Sequence, residues 1–516
     1  MMASPETFYV TTPIYYPNDV PHIGHAYTSV ATDFVARYHR MRGEDVFFLT
    51  GTDEHGKKVP QAAQEQGLDP QEFVDRMEPR WREVWERLEI SNDDYVRTTE
   101  PRHEKAVVAL LEAVHGNGRD DIYLDTYEGL YCVACEAYYT EDELVDGLCP
   151  IHHRPVESLS EQNYFFRLSA YADRLLEYHA EHPEALQPES RRNEVLALIR
   201  GGLRDFSISR TSFAWGIPLP WDPAHVCYVW FDALTTYLTG VGYGTDERRF
   251  SRWWPADVHF IGKDILRFHA VYWPAMLMAA GLELPRTVFA HGFLLVGGQK
   301  MSKTNATGIH PFQLIDHFGA DAYRYFFLRE VSFGQDGSFS WEAMTDRYTA
   351  DLANGLGNLA SRVLAMLGSY FDGAVPEPGD GSAAADLPAV IADAARRYDG
   401  HMDRLELNQA LGAVWSVVDR ANGYLVETEP WKVAKVPEAR NELAGVLYAA
   451  AETLRVLAVM IAPVMPATAA RLWEQLGIPE PIGDQRLPAG TEWGGLVPGT
   501  ATTKGESLFP RLPDDD

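Results

Sequence analysis

The chain has 516 residues, 46% of them hydrophobic and 23% charged, the composition of a globular protein with room for several cores and roughly three to four domains. Its formal net charge of −29 sets up a long-range field that repels polyanions, so contact with a nucleic acid requires a local basic or stacking surface. Only four cysteines, no basic patch followed by an apolar run at the start, and no run of the roughly 18 apolar residues that span a bilayer together predict a cytoplasmic protein without a membrane segment. On composition alone, an enzyme acting on small anions ranks ahead of a nucleic-acid binder.

Phe8-Tyr9-Val10-Thr11-Thr12 predicts a strand, ended by Pro13 and the Pro17-Asn18-Asp19 turn. A helical pattern follows from His25 to Arg40, and Val46-Phe47-Phe48-Leu49 predicts a second strand ending at Gly51-Thr52-Asp53. Such a βαβ unit holds its ligands at the carboxyl ends of its strands, where His22, His25 and Asp53 fall. No Gly-x-Gly-x-x-Gly fingerprint and no Walker lysine loop is present, which counts against dinucleotide and P-loop enzymes.

Residues 64–115 read as mainly helical. Between 121 and 220 the texture changes to tyrosine-rich strands, turns and a cysteine cluster, which reads as an insertion. The α/β pattern resumes at Val226-Cys227-Tyr228-Val229-Trp230 and at Val258 to Gly262, with a helix from Ile265 to Ala280. Val288-Phe289-Ala290 leads to His291, and a Gly297-Gly298 turn precedes Lys300. From Thr349 the pattern is helical, broken by a linker rich in Gly, Ala, Pro and Asp at 372–386. The apolar stretch from Ala449 to Ala467 is interrupted by Glu452, Arg455 and Pro463 and reads as a core helix.

His22-Ile23-Gly24-His25 puts two imidazoles three apart at a helix start, with a glycine that leaves space for a flat ring or a phosphate. Nucleotide contact and ordinary surface histidines both remain open, and no neighbouring acid or thiol completes a metal set. Lys300-Met301-Ser302-Lys303-Thr304 offers two ammonium groups that suit a polyphosphate, or a solvated loop. Cys132-x-x-Cys135 followed by Cys149-x-x-His152 pairs four soft ligands in the pattern of a closed, structural zinc site, with His153 an alternative to His152. Cys227, in an apolar run, reads as a small buried hydrophobe. Tyr16, Trp230, Tyr237 and Phe289 form either core packing or a pocket for a small apolar ligand, and Asp53 either pairs with a ligand ammonium or caps a turn. Asn354, Asn358 and Arg362 make a polar stripe on a helix read from Asp351 to Leu367, and Trp431 follows Pro430 at another helix start; the stripe is solvent surface or a base-reading face.

Taken together, these motifs resemble those of bacterial methionyl-tRNA synthetases, within the class I aminoacyl-tRNA synthetases, over Phe8 to about Leu476. Further stretches similar to that family are Gly51-Thr52-Asp53-Glu54-His55-Gly56, Ile261-Gly262-Lys263-Asp264, His291-Gly292 and Asp351-Leu352-Ala353-Asn354. Asp19 and Thr304 depart from the residues commoner in the family. The resemblance implies an α/β fold: a Rossmann-like catalytic domain (1–120 and 226–290) with an inserted connective domain (121–225) carrying one zinc knuckle. A lysine-loop and stem-contact region (291–348), a helical-bundle anticodon-binding domain (349–476) and a tail (477–516) complete it.

The implied activity is ATP-dependent ligation of L-methionine to the terminal adenosine of initiator and elongator tRNA(Met), through methionyl-adenylate. His22, His25, Lys300 and Lys303 are then the catalytic groups, and Gly24, Gly262, Asp264 and Ser302 join them around Mg-ATP. Ile14, Tyr16, Asp53, Trp230, Tyr237, Phe289, Ala290 and His291 surround methionine. Cys132, Cys135, Cys149 and His152 hold Zn2+, and Asn354, Asn358, Arg362 and Trp431 read the anticodon. A monomer is expected, since the appended tRNA-binding domain of some relatives is not seen. The competing readings are an adenylate-forming nucleotidyltransferase that acts without tRNA, and a non-catalytic tRNA-binding protein.

Overall fold

The computed structural model describes residues 6–133, 137–139, 141–150, 153–296, 299–300, 309–379 and 386–512. Its catalytic half is built on a six-stranded sheet whose spatial order is Asp94–Arg97, Asp45–Thr52, Thr7–Thr11, Val258–Gly262, Thr287–His291 and Leu186–Gln187. Every neighbouring pair runs parallel. Alternate residues feed opposite cores: Phe8, Val10, Phe48 and Phe260 enter one, while Tyr9, Phe47, Leu49 and Ile261 enter the other. Burial on both faces is why these strands read as unbroken apolar runs. The strand order reverses between Thr7–Thr11 and Val258–Gly262, paired at Val10↔Val258 and Thr11↔His259, and a crevice opens at such a reversal beyond the carboxyl ends.

Three elements differ from the sequence reading. Asp94–Arg97 is a strand inside the stretch read as helical, flanked by helices Pro70–Arg87 and Pro101–His115; four residues carry no usable periodicity. The sixth strand, Leu186–Gln187, comes from within 121–225, so that stretch also contributes to the main sheet. The run at Val226 splits: Asp222–Cys227 joins a small antiparallel sheet, and a helix over Val229–Thr239 takes Trp230 and Tyr237. The insertion itself is a long hairpin, Ile122–Cys132 against Glu157–Phe166, in register from Ile122↔Phe166 to Tyr131↔Glu157.

The remainder is helical. Tyr348 to Phe371 is continuous, with π-helical geometry to Gly357 and α-helical geometry from Asn358. Helices Leu387–Asp403, Leu407–Thr428, Arg440–Ile461 and Pro466–Gln475 form the bundle. The helical stretch Pro437–Ile461 is long and apolar enough to cross a membrane, yet its apolar part, residues 443–461, is entirely buried within the protein. Glu452 on that helix is fully buried and accepts hydrogen bonds from Arg455 and from the backbone of Gly494, Gly495 and Leu496. The extension after 476 is thereby part of the helical domain.

The two halves are joined by Arg324, which is wholly buried. Its guanidinium donates to Asp33 on the first helix at 2.6 Å, to the Leu88 carbonyl at 2.9 Å, and to the Pro463 and Val464 carbonyls of the bundle at 3.2 and 2.7 Å. Burial alone would raise the Asp33 carboxyl, but Arg324 and Arg37 outweigh it and hold it at about 2.

Candidate active site

A cavity of 1270 Å³ lies at the strand-order reversal. The first side chains on it come from the helix start. His22 is the N-cap of Ile23–Met41: its Nδ1 accepts from the Gly24 N–H at 3.1 Å, and His25 Nδ1 accepts in return from the His22 N–H at 3.2 Å. The two rings stack at 3.6 Å. With both Nδ1 atoms acting as acceptors, each neutral imidazole carries its proton on Nε2, so the pair presents N–H donors beside a helix amino end. Gly24 is needed first for the protein's own sake, because a Cβ there would lie 2.9 Å from His22 Cε1.

Asp53 ends the second strand, 3% exposed and on the cavity. Its N–H bonds the Tyr15 carbonyl at 2.9 Å, which fixes the backbone of the loop that also carries Ile14 and Tyr16 to the cavity. Opposite stands the helix Val229–Thr239, whose Trp230, Ala233, Leu234 and Tyr237 recur at helical spacing and line the space. Trp230 lies flat on Phe268, with centroids 3.8 Å apart and planes at 5°. The Tyr237 hydroxyl meets His269 Nε2 at 2.7 Å, and His269 Nδ1 lies 3.0 Å from the Ile265 carbonyl. A carbonyl can only accept, so Nδ1 bears the proton and Nε2 accepts from the tyrosine. Burial lowers His269 to about 4 and keeps the ring neutral, so the polar end of this aromatic pocket carries no charge.

Phe268 and His269 were missed in the sequence, where they sit inside an apolar helical run. The available signal was their place four and five residues after Asp264, one turn from a strand end. Gly262 and Asp264 do reach the cavity, and a Cβ on Gly262 would lie 2.6 Å from Asp264 Oδ1. His291 also lines the cavity, but its ring donates from Nδ1 to the Gly292 carbonyl at 2.8 Å and meets Thr28 Oγ1 at 2.7 Å, tying the sheet to the first helix. Phe289 and Ala290 do not line it: Phe289 stacks on Phe333 at 4.7 Å in one core, and Ala290 is buried in the other.

Lys300 belongs by its backbone to a two-residue strand paired with Leu295, while Met301, Ser302, Lys303 and Thr304 lie outside the described residues. Cys132 and Cys149 share one small buried cluster with Tyr139 and are not in a disulfide; Cys135 and His152 lie outside the described residues. His153 is exposed and lines the mouth of the catalytic cavity. Among the described residues no three His, Cys, Asp or Glu side chains gather as a metal site. Cys227 is fully buried, and burial pushes its thiol well up. In the helical domain Asn354 and Asn358 are exposed, and the Arg362 guanidinium lies 5.3 Å above the Trp431 ring.

A parallel sheet with stacked imidazoles at its reversal, followed by a helical domain, is the arrangement expected of a class I aminoacyl-tRNA synthetase. Residues 8–158 and 151–364 match the family model described as tRNA synthetases class I (M), and residues 375–516 match the anticodon binding domain of methionyl tRNA ligase. A methionine–tRNA ligase of Streptomyces coelicolor is 51% identical over 98% of this chain and 97% of its own length; one of Caldanaerobacter subterraneus is 49% identical over 98% and 79%. Among solved structures, Mycobacterium tuberculosis methionyl-tRNA synthetase with methionyl-adenylate superposes with a TM-score of 0.94 at 47% identity, covering 98% of this chain and all of that one. Its apo form gives 0.87 at 44% identity, covering both chains in full. The chain belongs to the methionyl-tRNA synthetase family, and it is an ATP-dependent ligase that joins methionine to tRNA(Met) through a methionyl-adenylate.

Proposed function

We propose the following roles for the residues of this ligase. The Nε2–H groups of His22 and His25 meet the ATP phosphates at the helix amino end, and Lys300, Ser302 and Lys303 stabilise the charge that spreads over them. Gly262 leaves room for the ribose, which hydrogen-bonds Asp264. Asp53 takes the methionine ammonium. Ile14, Tyr16, Trp230 and Tyr237, with Phe268 and His269, enclose the thioether side chain, while His291 braces the nucleotide side through Thr28.

The methionine carboxylate attacks the α-phosphorus, and pyrophosphate leaves. Because the nucleophile is already ionised, no general base is needed, and the protein contributes position and charge stabilisation. Mg2+ accompanying ATP supplies further neutralisation of the phosphates. The 2′-hydroxyl of the terminal adenosine then attacks the activated carbonyl, the ester bond forms as the acyl–phosphate bond breaks, and the departing AMP phosphate takes up the hydroxyl proton.

Cys132, Cys135, Cys149 and His152 would hold one Zn2+, whose chemistry there is a structural cross-link of the hairpin tip. The shared burial of Cys132 and Cys149 supports that set, with His153, whose N–H bonds the Cys149 carbonyl at 2.8 Å, the alternative to His152 as the fourth ligand. Asn354, Asn358, Arg362 and Trp431 contact the anticodon shared by initiator and elongator tRNA(Met), the indole and guanidinium offering adjoining planar faces.

The observation that carries this reading is the single cavity joining a donor pair at a helix start, a buried carboxylate and a neutral aromatic pocket. Quench-flow measurement of His25→Ala tests it. Adenylate formation should slow by about 100- to 1000-fold while transfer from preformed methionyl-adenylate to tRNA is largely kept. Equal slowing of both steps would remove His25 from phosphate stabilisation.

A further inference from the structure

Behind the cavity lies a buried group that touches none of it. Asp232, on the helix Val229–Thr239, is fully buried and points away from the face that carries Trp230, Ala233, Leu234 and Tyr237. Its Oδ2 takes a hydrogen bond from His55 Nδ1 at 2.6 Å, and its Oδ1 one from His103 Nε2 at 2.5 Å. His103, also fully buried, continues through Nδ1 to Thr239 Oγ1 at 2.8 Å, about two turns further along the same helix face. His55 lies two residues after Asp53, and its backbone N–H reaches Asp53 Oδ1 at 3.4 Å. The edge of Trp215 closes over the His55 ring at 5.6 Å, and the Trp215 Nε1–H donates to the Glu54 carbonyl at 2.7 Å.

Burial works against a charge on Asp232, but His55 and His103 more than offset it and hold the carboxyl at about 2. An ionised carboxylate has only acceptors, so each imidazole must present it an N–H, which fixes the orientation of both rings. The three side chains therefore form one fixed unit linking three separate pieces of chain: the loop after the second strand, the helix Pro101–His115 and the helix of the aromatic wall.

We infer that Asp232 is a positioning residue for amino-acid binding: through His55 it sets the Asp53 carboxylate against the aromatic wall, so that ammonium and side chain are read at a fixed separation. This rests on Asp53 as the ammonium partner. A buried clamp of this kind has a distinct signature, because it acts on the amino acid and not on the nucleotide. Replacing one carboxylate oxygen by an amide N–H sets donor against donor at one imidazole, and relief requires movement of His55 or of the helix.

The test measures ATP–pyrophosphate exchange and the binding of 4-(methylthio)butanoate, which is methionine without its ammonium. Asp232→Asn should raise the methionine KM by about tenfold or more, leave the ATP KM within about twofold, and leave the affinity for the ammonium-free analogue unchanged. His55→Asn, whose amide N–H can replace Nδ1–H toward Asp232, should stay near wild type, whereas His55→Leu should behave like Asp232→Asn. Asp53→Asn serves as the reference. If it keeps the methionine KM, the ammonium assignment falls. If it loses methionine while Asp232→Asn does not, or if Asp232→Asn weakens ATP and the analogue equally, the positioning role falls.

Discussion

Removal of one hydroxyl, Tyr237→Phe, probes the methionine pocket with little else disturbed. The phenyl ring keeps the stack on His259, whose centroid is 4.2 Å away, so the shape of the wall is preserved. What goes is the 2.7 Å hydrogen bond to His269 Nε2 between two groups that are each almost fully buried. The orphaned imidazole nitrogen costs about 1–3 kcal/mol, and it can recover a partner only by turning away from the Ile265 carbonyl. If that loss is felt in the complex, kcat/KM for methionine in ATP–pyrophosphate exchange falls by roughly 5- to 150-fold, since about 1.4 kcal/mol is a factor of ten. The KM for ATP should stay put, because neither residue adjoins the His22–His25 pair. A Tyr237→Phe enzyme within twofold of wild type for methionine, or one impaired equally for ATP, would remove the Tyr237–His269 pair from the methionine pocket.

Acid should weaken the fold through the same pocket. His269 is depressed from 6.5 to about 4 by burial, so between those values the unfolded chain binds a proton that the folded chain refuses. Stability is full above pH 6.5 and declines as pH falls toward 4, by roughly 3 kcal/mol from this residue alone, and buried His259 and His291 are shifted in the same direction. Urea midpoints that stay level or rise between pH 7 and pH 5 would contradict this. Trp431→Ala should raise the KM for tRNA(Met) by roughly 5- to 150-fold, the loss of about 1–3 kcal/mol of base stacking, and leave tRNA-independent exchange untouched. Elemental analysis of purified Cys149→Ser should find the bound zinc lost where the wild-type chain retains it; retention by the variant would exclude that thiol from the ligand set.

Much of the site was legible because its chemistry sits in short, fixed spacings. His22, Gly24, His25 and Asp53 fall at strand ends and a helix start, where local sequence dictates geometry. The long apolar strands were equally plain, since burial on both faces writes itself into composition. Short elements were not: Asp94–Arg97 and Leu186–Gln187 are strands only because the sheet beside them supplies partners. His269 went unread for a related reason, as its role depends on Tyr237, 32 residues away on another helix. Phe289 erred in the opposite sense, because adjacent strand positions face opposite sides and sequence did not say which side held the cavity. The Asp232 clamp joins residues 129 and 177 positions apart, and nothing local marks it.

Whether the adenylate site is specific for methionine is decided by ATP–pyrophosphate exchange measured across the full set of protein amino acids. Robust exchange with methionine, a weak response to close aliphatic or thioether analogues, and abolition by Asp53→Asn are predicted. Exchange driven by a different amino acid, or none with methionine while the protein is folded, would contradict it.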